Sequence, residues 1–197
     1  MYIDYLSNSR TNGTNTGREY LTAEELATIT QREFDSSRLE KVRDLYLFAC
    51  YTGLVYQDIK NLQQYNVITA KDGTRWLSIH RQMHDRPCQI PLLENACRII
   101  DKYKDNGTEN ILPVPSIQKV NAYLKEIASQ CGLDRNLSFQ SARSTFAVTI
   151  GIANKVSPVI ISKLFGFRDY ATRSSRVSDK QISKEMLELS NKLAANK

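Results

Sequence analysis

The sequence predicts a mainly α-helical domain that contains a small antiparallel β-sheet. Apolar residues recur at helical spacing in several segments, and between residues 67 and 91 that spacing gives way to short apolar runs separated by a turn. The chain has 197 residues, of which 41% are hydrophobic, so a core of ordinary size can form without disulfides or metals. We therefore expect one α+β domain.

The N-terminal part of the chain is expected to differ from the rest. Residues 7–18 are rich in Ser, Asn, Thr and Gly, a composition that predicts a flexible segment, so residues 1–18 are interpreted as a linker and 19–197 as the folded domain. Thr22 and Glu25 have the spacing of a capping box, in which each side chain accepts a hydrogen bond from the other residue's backbone N–H. The first helix should begin there.

The helices and strands in the middle of the chain are predicted from the spacing of apolar residues, which changes along the sequence. A helical stripe over residues 39–49 predicts a first core helix that ends at Gly53, because glycine readily takes the left-handed conformation. Apolar runs at 67–68, 76–79 and 88–90, with a turn at 71–73, predict two or three antiparallel strands. Further helices are predicted at 92–103, around 120–127 and at 139–151, 157–164 and 180–193, with a loop marked by Asn106, Gly107, Pro113 and Pro115.

The last predicted helix carries one narrow apolar stripe, formed by Ile182, Met186, Leu189 and Leu193. Such a stripe usually packs on the domain's own core. The alternative is that it docks on another protomer.

The net charge and the cysteines limit the kinds of partner and cofactor that we expect for this protein. The net charge is +6 and the pI about 9.1, which is compatible with a polyanionic partner but does not require one. The four cysteines are scattered without CxxC spacing, which indicates reduced thiols in the core. A zinc site at His80 and His84 is not expected, because the residues before His80 have the pattern of a β-strand and not of a helix. No apolar run suits a membrane span or a signal peptide, so a cytoplasmic protein is expected.

Five motifs, in order and at similar separations, resemble those of the tyrosine recombinase (phage integrase) family, especially integrases of Bacteroidetes mobile elements. They are YLTAEEL at 20–26, YTGLVYQD at 51–58, IPLL at 90–93, SFQSARSTFA at 138–147 and SKLFGF at 162–167. The resemblance implies a mostly helical catalytic domain that wraps duplex DNA. In that family a tyrosine attacks the scissile phosphate, arginines and histidines stabilise the transition state, and a lysine protonates the leaving oxygen, with no metal or nucleotide cofactor.

Carried over residue by residue, the resemblance implies a degenerate active site. Arg143 matches a family arginine, and Asp58 matches the supporting acidic residue, although a solvated or helix-capping carboxylate would look the same. Gln140 and Ser144 replace two histidines as polar remnants. The other positions hold Val55 for an arginine, Met83 for the lysine, Phe167 for a histidine and Arg176 for the nucleophile, and Tyr170 lies too early to replace it.

Several arginines cluster around these motifs and are interpreted as facing a phosphate backbone. The set comprises Arg81, Arg86, Arg143, Arg168, Arg173 and Arg176. Guanidinium groups suit phosphate, and phosphate contacts supply most non-specific affinity. The alternative is that these arginines solvate the surface or pair with Asp85, Asp169 and Asp179, and that Arg143 is buried and ties helices together.

Three functional hypotheses follow from these observations. The first is a degenerate integrase domain that binds duplex DNA without recombining it. The second is an active site-specific recombinase that uses Tyr170 or a tyrosine supplied by a partner. The third is a protein-interaction module that acts on an integrase, or forms a homo-oligomer, through its C-terminal helix.

Overall fold

A computed structural model describes residues 18–81, 86–104, 107, 109–166 and 177–195. Within these residues there are eight α-helices and one three-stranded sheet. The helices are α1 (Ala23–Gln31), α2 (Ser37–Thr52), α3 (Tyr56–Lys60), α4 (Glu94–Lys102), α5 (Ile117–Gln130), α6 (Ser141–Thr145), α7 (Pro158–Leu164) and α8 (Asp179–Ala195). The strands are β1 (Val67–Thr69), β2 (Arg75–Arg81) and β3 (Arg86–Pro91). The predicted fold class is confirmed.

Helix α1 begins where the sequence predicts. The Thr22 hydroxyl accepts from the Glu25 backbone N–H at 3.2 Å, and the Glu25 carboxylate accepts from the Thr22 N–H at 2.7 Å. These two bonds satisfy backbone donors that the first turn of a helix cannot pair internally. The entry of the chain into the domain is therefore fixed by local hydrogen bonds.

Helix α2 is the centre of the fold. All nine of its residues from position 44 to position 52 are buried, so this half of the helix is surrounded on every side, as expected for a helix in the middle of a core. It contacts α4, α5, α6 and the helical turn that follows α6. The helix ends at Gly53, whose φ of 68° is the left-handed conformation predicted for it.

One buried carboxylate joins α2 to α4. Asp44 is 3% exposed and accepts hydrogen bonds from Lys102 Nζ at 2.7 Å, the Tyr103 hydroxyl at 2.8 Å and Arg43 Nε at 2.8 Å. A buried charge is tolerated when it is paired and hydrogen-bonded in this way. Burial, and then the Asp44 carboxylate, raises the pKa of Tyr103, so its phenol stays protonated and donates.

The three strands form an antiparallel sheet in the order β1-β2-β3. Leu77 pairs with Ile90 and Ile79 pairs with Cys88, and all four side chains are buried on the core face. Trp76, Ser78 and Gln89 alternate with them on the opposite face and are more exposed, as the two-residue period of a strand requires. The predicted small sheet is confirmed.

The C-terminal helix packs on the chain's own core. Ile182, Met186 and Leu189 are each 2% exposed or less, and Leu193 is half-buried. Near the middle of α8, the Glu185 carboxylate accepts from the Ser157 backbone N–H at 3.0 Å. The stripe is therefore largely occupied by intramolecular contacts, and docking of this helix on a partner stays a prediction.

Two of the four cysteines are less buried than the sequence suggests. All four are free thiols, but only Cys50 and Cys88 lie in the core, whereas Cys97 and Cys131 are half-buried. Burial raises the pKa of the Cys50 thiol, which makes it unreactive. No helix in the described part of the chain combines the length and the apolar character needed to cross a bilayer.

Candidate nucleic-acid interface

Helix α6 carries the arginine that the sequence singles out. The chain before it turns at residues 138–140, where the Ser141 backbone N–H and hydroxyl both donate to the Ser138 carbonyl oxygen, at 3.1 and 2.7 Å. The Phe139 N–H donates to the Asn121 side chain of α5 at 2.9 Å. Residues 140, 143 and 144 then fall at helical spacings of three and four, which places them on the same side of the helix.

Arg143 joins three of the five sequence motifs. Its Nη1 donates to the Gly53 carbonyl oxygen at 2.9 Å, and its Nη2 donates to the Phe165 carbonyl oxygen at 3.1 Å. The guanidinium carbon also lies 3.9 Å from the centroid of the Phe165 ring, a close cation–π contact. The turn after α2 and the turn after α7, separated by more than 100 residues, therefore meet at this one side chain.

The same junction is closely packed around Gly53. A Cβ atom at this position would lie 2.6 Å from Phe165 Cε1 and 2.9 Å from Phe146 Cδ1. The Phe146 and Phe165 rings are themselves in contact, with centroids 5.7 Å apart. Only glycine satisfies both the left-handed backbone and this close approach.

The other described site residues lie near this junction but in different environments. Val55 precedes α3 as its N-cap residue, and Asp58 is half-buried in the first turn of that helix. Gln140 is exposed at the start of α6, whereas Ser144 is 6% exposed and belongs to the core. Gln140 is therefore more accessible to a phosphate than Ser144 is. Phosphate contacts by either residue stay a prediction.

A buried polar network behind α6 was not predicted from the sequence. The Tyr46 hydroxyl and the Ser141 hydroxyl are 2.7 Å apart, and the Thr145 hydroxyl accepts from the Leu21 N–H at 3.0 Å. The Thr149 hydroxyl donates to the Leu21 carbonyl oxygen. Thus the backbone N–H of Leu21 is hydrogen-bonded to α6, and its carbonyl oxygen to the helical turn that follows α6.

Arg135 fixes the same entry segment from the other side. Its guanidinium donates to the Tyr20 carbonyl oxygen at 2.6 Å and to that of Arg18, and it lies 3.5 Å from the Glu25 carboxylate. Arg18 also pairs with Glu25, at 2.8 Å. This cluster is structural, since each contact ties the entry segment to the domain rather than presenting charge to solvent.

Helix α6 continues into a π-helical turn, Phe146–Gly151. The sequence predicts an ordinary helix over 139–151, so the position of the helix is confirmed and its wider turn is new. π turns occur often at functional sites. Here the turn brings Phe146 against Gly53 and Thr149 against Leu21, so it supports both sides of the junction around Arg143.

Several predicted site residues lie outside the described part of the chain. They are Met83, Phe167, Arg168, Tyr170, Arg173 and Arg176. Arg81 is the last residue of β2 and pairs with Arg86, the first residue of β3, so both lie at the end of the sheet where the two strands are connected. Of the acidic residues proposed as alternative partners, Asp179 contacts Lys163 at 3.3 Å, whereas Asp85 and Asp169 lie outside the described residues.

A polar pocket of about 430 Å³ lies beside α3 and β2. It is bounded by Asp58 and Asn61 from α3 and its end, by Tyr65 and Asn66 from the 3₁₀ turn Gln64–Asn66, and by His80 from β2. Across the described residues, no group of three or more His, Cys, Asp and Glu side chains is arranged to hold a metal ion.

Comparison with known proteins gives matches in structure alone. No protein-family model matches the chain, and no curated protein matches it in sequence. A structure of the XerH site-specific recombinase bound to its difH substrate aligns with a TM-score of 0.63 at 13% identity, covering 89% of this chain and 55% of that protein. The chain thus spans about half the length of that recombinase.

Two integrases give similar alignments. The catalytic core of lambda integrase aligns with a TM-score of 0.60 at 22% identity, over 77% of this chain and 94% of that core. The integrase from mycobacterium phage Brujita aligns with a TM-score of 0.62 at 14% identity, over 93% of this chain and 62% of that protein. At these identities the likeness establishes a shared fold.

Proposed function

We propose that this chain, which has the fold of a tyrosine recombinase catalytic domain, binds duplex DNA as a recombination- or integration-related protein and does not cut it. The observation that carries the proposal is that this fold is found bound to DNA in XerH, on difH, and in lambda integrase, on a COC' core site. The net charge of +6 supports a polyanionic partner. The protein would act as an accessory or regulatory relative of an integrase encoded by a mobile element.

The lack of cleavage is proposed from the residues at the family's catalytic positions. Val55 carries no charge, and the retained Arg143 uses one N–H of each terminal nitrogen on a backbone carbonyl oxygen of the protein, which leaves fewer of its donors for a phosphate. Arg176 stands where the resemblance places the nucleophile. A transition state needs donors aimed at its developing charge, and a covalent route needs a nucleophile. The residues at these catalytic positions therefore argue against strand exchange.

The binding proposal predicts a strong dependence on salt. We expect the logarithm of the affinity for a labelled duplex to fall linearly with the logarithm of salt concentration, with a slope of about −4 if four or five phosphates are neutralised. Fluorescence anisotropy between 50 and 200 mM salt, roughly the range over which such contacts weaken most clearly, measures this slope. Replacing Arg81 and Arg86 together with glutamate should reduce both the affinity and the slope.

The matched control is Arg98→Glu, an equal change of charge per residue on α4 and outside the five motifs. It should leave the slope nearly unchanged. Failure of the unmodified protein to retain any duplex at low salt would remove the proposal. Because the double variant changes twice as much charge as Arg98→Glu, a loss in the control about half as large as that in the double variant would mean that net charge, and not a defined surface, governs binding.

The absence of cleavage is tested with a nicked suicide duplex, which traps a covalent phosphotyrosyl intermediate. We expect no protein–DNA adduct that survives denaturation, and no difference between the unmodified protein and Tyr170→Phe. Electrophoresis of the denatured reaction measures the adduct. An adduct that disappears in Tyr170→Phe would instead establish the second hypothesis, a recombinase with a displaced nucleophile.

A further inference from the structure

We propose that the pocket between α3 and β2 binds a single nucleobase, of the guanine type, displaced from the DNA duplex. This inference deepens the proposed function and rests on it, because the base would come from bound DNA. The pocket lies between Asp58, three residues after Val55, and His80, next to the hairpin position of Arg81. Both neighbouring segments belong to the surface proposed to face DNA.

The pocket is preformed by hydrogen bonds within the protein. The Asn66 side chain accepts from the Gln63 N–H at 2.9 Å and donates to the Ser78 carbonyl oxygen at 3.0 Å. These bonds fasten the 3₁₀ turn to β2. Leu62 and Ile79, at 2% and 8% exposure, supply its buried apolar lining. A ligand would therefore not have to order the walls of the pocket, which lowers the entropic cost of binding.

The chemistry of the lining points to a flat, polar, uncharged ligand. Tyr65 is 75% exposed and lines the pocket, so its ring offers a face on which a base can stack. Asn61 offers an amide that both donates and accepts. Among the described lining residues none is Lys or Arg, so the pocket does not suit a phosphate, although the protein as a whole is basic.

The volume of the pocket and the hydrogen-bond acceptors in its lining limit the class of ligand further. At about 430 Å³ the pocket is at the small end of ligand sites, which suits one base or nucleoside rather than an oligonucleotide. The carboxylate of Asp58 can accept hydrogen bonds but donates none, so it favours a ligand edge that presents N–H groups. Guanine presents two adjacent donors on its Watson–Crick edge, whereas the phosphate and the sugar would remain outside, near the hairpin.

The test compares three labelled duplexes in the same buffer, one fully paired, one with a single unpaired guanine and one with an unpaired abasic residue. We expect the unpaired guanine to bind about tenfold more tightly than either of the others, as one stacked base provides. Tyr65→Ala should lose this preference and bind paired duplex as before. Tyr65→Phe, which keeps the ring, should retain it.

The control variant is Leu187→Ala, which removes another exposed apolar side chain (58% exposed) on α8. It should leave the preference unchanged. Equal affinity for all three duplexes would overturn the pocket while leaving DNA binding intact. Equal tightening by the guanine and abasic residues would also overturn it, because the protein would then recognise bent DNA and not the base.

A second readout separates failure of the pocket from failure of DNA binding. Guanosine added to the free protein should shift the Asn61 side-chain amide signals in a nitrogen-15 correlation spectrum, whereas ribose 5-phosphate should not. If the protein bound no duplex but gave the guanosine shifts, the proposed function would fail and the pocket would stand as a nucleoside site. If neither compound moved these signals, the pocket would be rejected whatever the DNA results.

Discussion

Replacing Arg143 with alanine is expected to lower the free energy of unfolding by about 3 kcal/mol. The substitution removes the donors from the carbonyl oxygens of Gly53 and Phe165, and an unsatisfied buried acceptor costs about 1–3 kcal/mol. It also removes the guanidinium stacked on the Phe165 ring at 3.9 Å. Urea unfolding followed by circular dichroism measures the change, provided that the slope of the transition is preserved.

Arg143→Lys provides the comparison that assigns the loss. A lysine keeps the positive charge but has one compact ammonium group, which cannot reach both carbonyl oxygens and cover the ring at once. We therefore expect it to recover only a small part of the lost stability. As a control, Arg98→Ala breaks an exposed ion pair with Glu94 and should cost less than about 0.5 kcal/mol.

The same variants distinguish the two interpretations of Arg143 that the sequence leaves open. If the side chain mainly holds the two turns together, Arg143→Ala will lose stability and Arg143→Lys will not restore it. If the side chain mainly contacts phosphate, both variants will remain nearly as stable as the unmodified protein. In that case Arg143→Ala will weaken duplex binding and Arg143→Lys will largely restore it.

The parts of the fold that the sequence predicts correctly are those determined by neighbouring residues. The capping box of Thr22 and Glu25 involves residues three apart, and the left-handed end of α2 requires only that Gly53 follow the apolar stripe. The sheet is predictable because the alternation in β2, with Leu77 and Ile79 buried, is visible in the sequence. Each of these signals acts within a few residues, where propensity and periodicity are informative.

The arrangement of the site depends on contacts that no local pattern encodes. Arg143 bonds to residues 90 positions before it and 22 after it, and Leu21 bonds to Thr145, 124 positions away. From the sequence, an arginine that faces phosphate and one that ties turns together have the same appearance. Likewise, the exposure of Tyr65 depends on how its turn meets β2, so a base pocket could not be inferred before the fold was known.

Replacing Gly53 with alanine is expected to destabilise the protein by about 3 kcal/mol through two separable effects. An L-residue at φ of 68° costs about 1 kcal/mol relative to glycine. The added Cβ would also lie 2.6 Å from Phe165 Cε1, so that buried ring must move, and overpacking of this kind costs about 1–3 kcal/mol. Urea unfolding measures the sum of these two effects.

Gly132 offers a matched control for this substitution, since it has the same φ of 68° but no atom within 4 Å of an added Cβ. Gly132→Ala should therefore cost about 1 kcal/mol, the backbone contribution alone. The difference between the two variants isolates the contacts with Phe165 and Phe146. Equal losses would mean that the rings around Gly53 yield freely. A larger loss at Gly53 would mean that these rings resist displacement. The Arg143 guanidinium stacks on the Phe165 ring that the new methyl group displaces, so Gly53→Ala can also move Arg143. If Gly53→Ala weakened duplex binding as well, this junction would link stability to the DNA-facing surface.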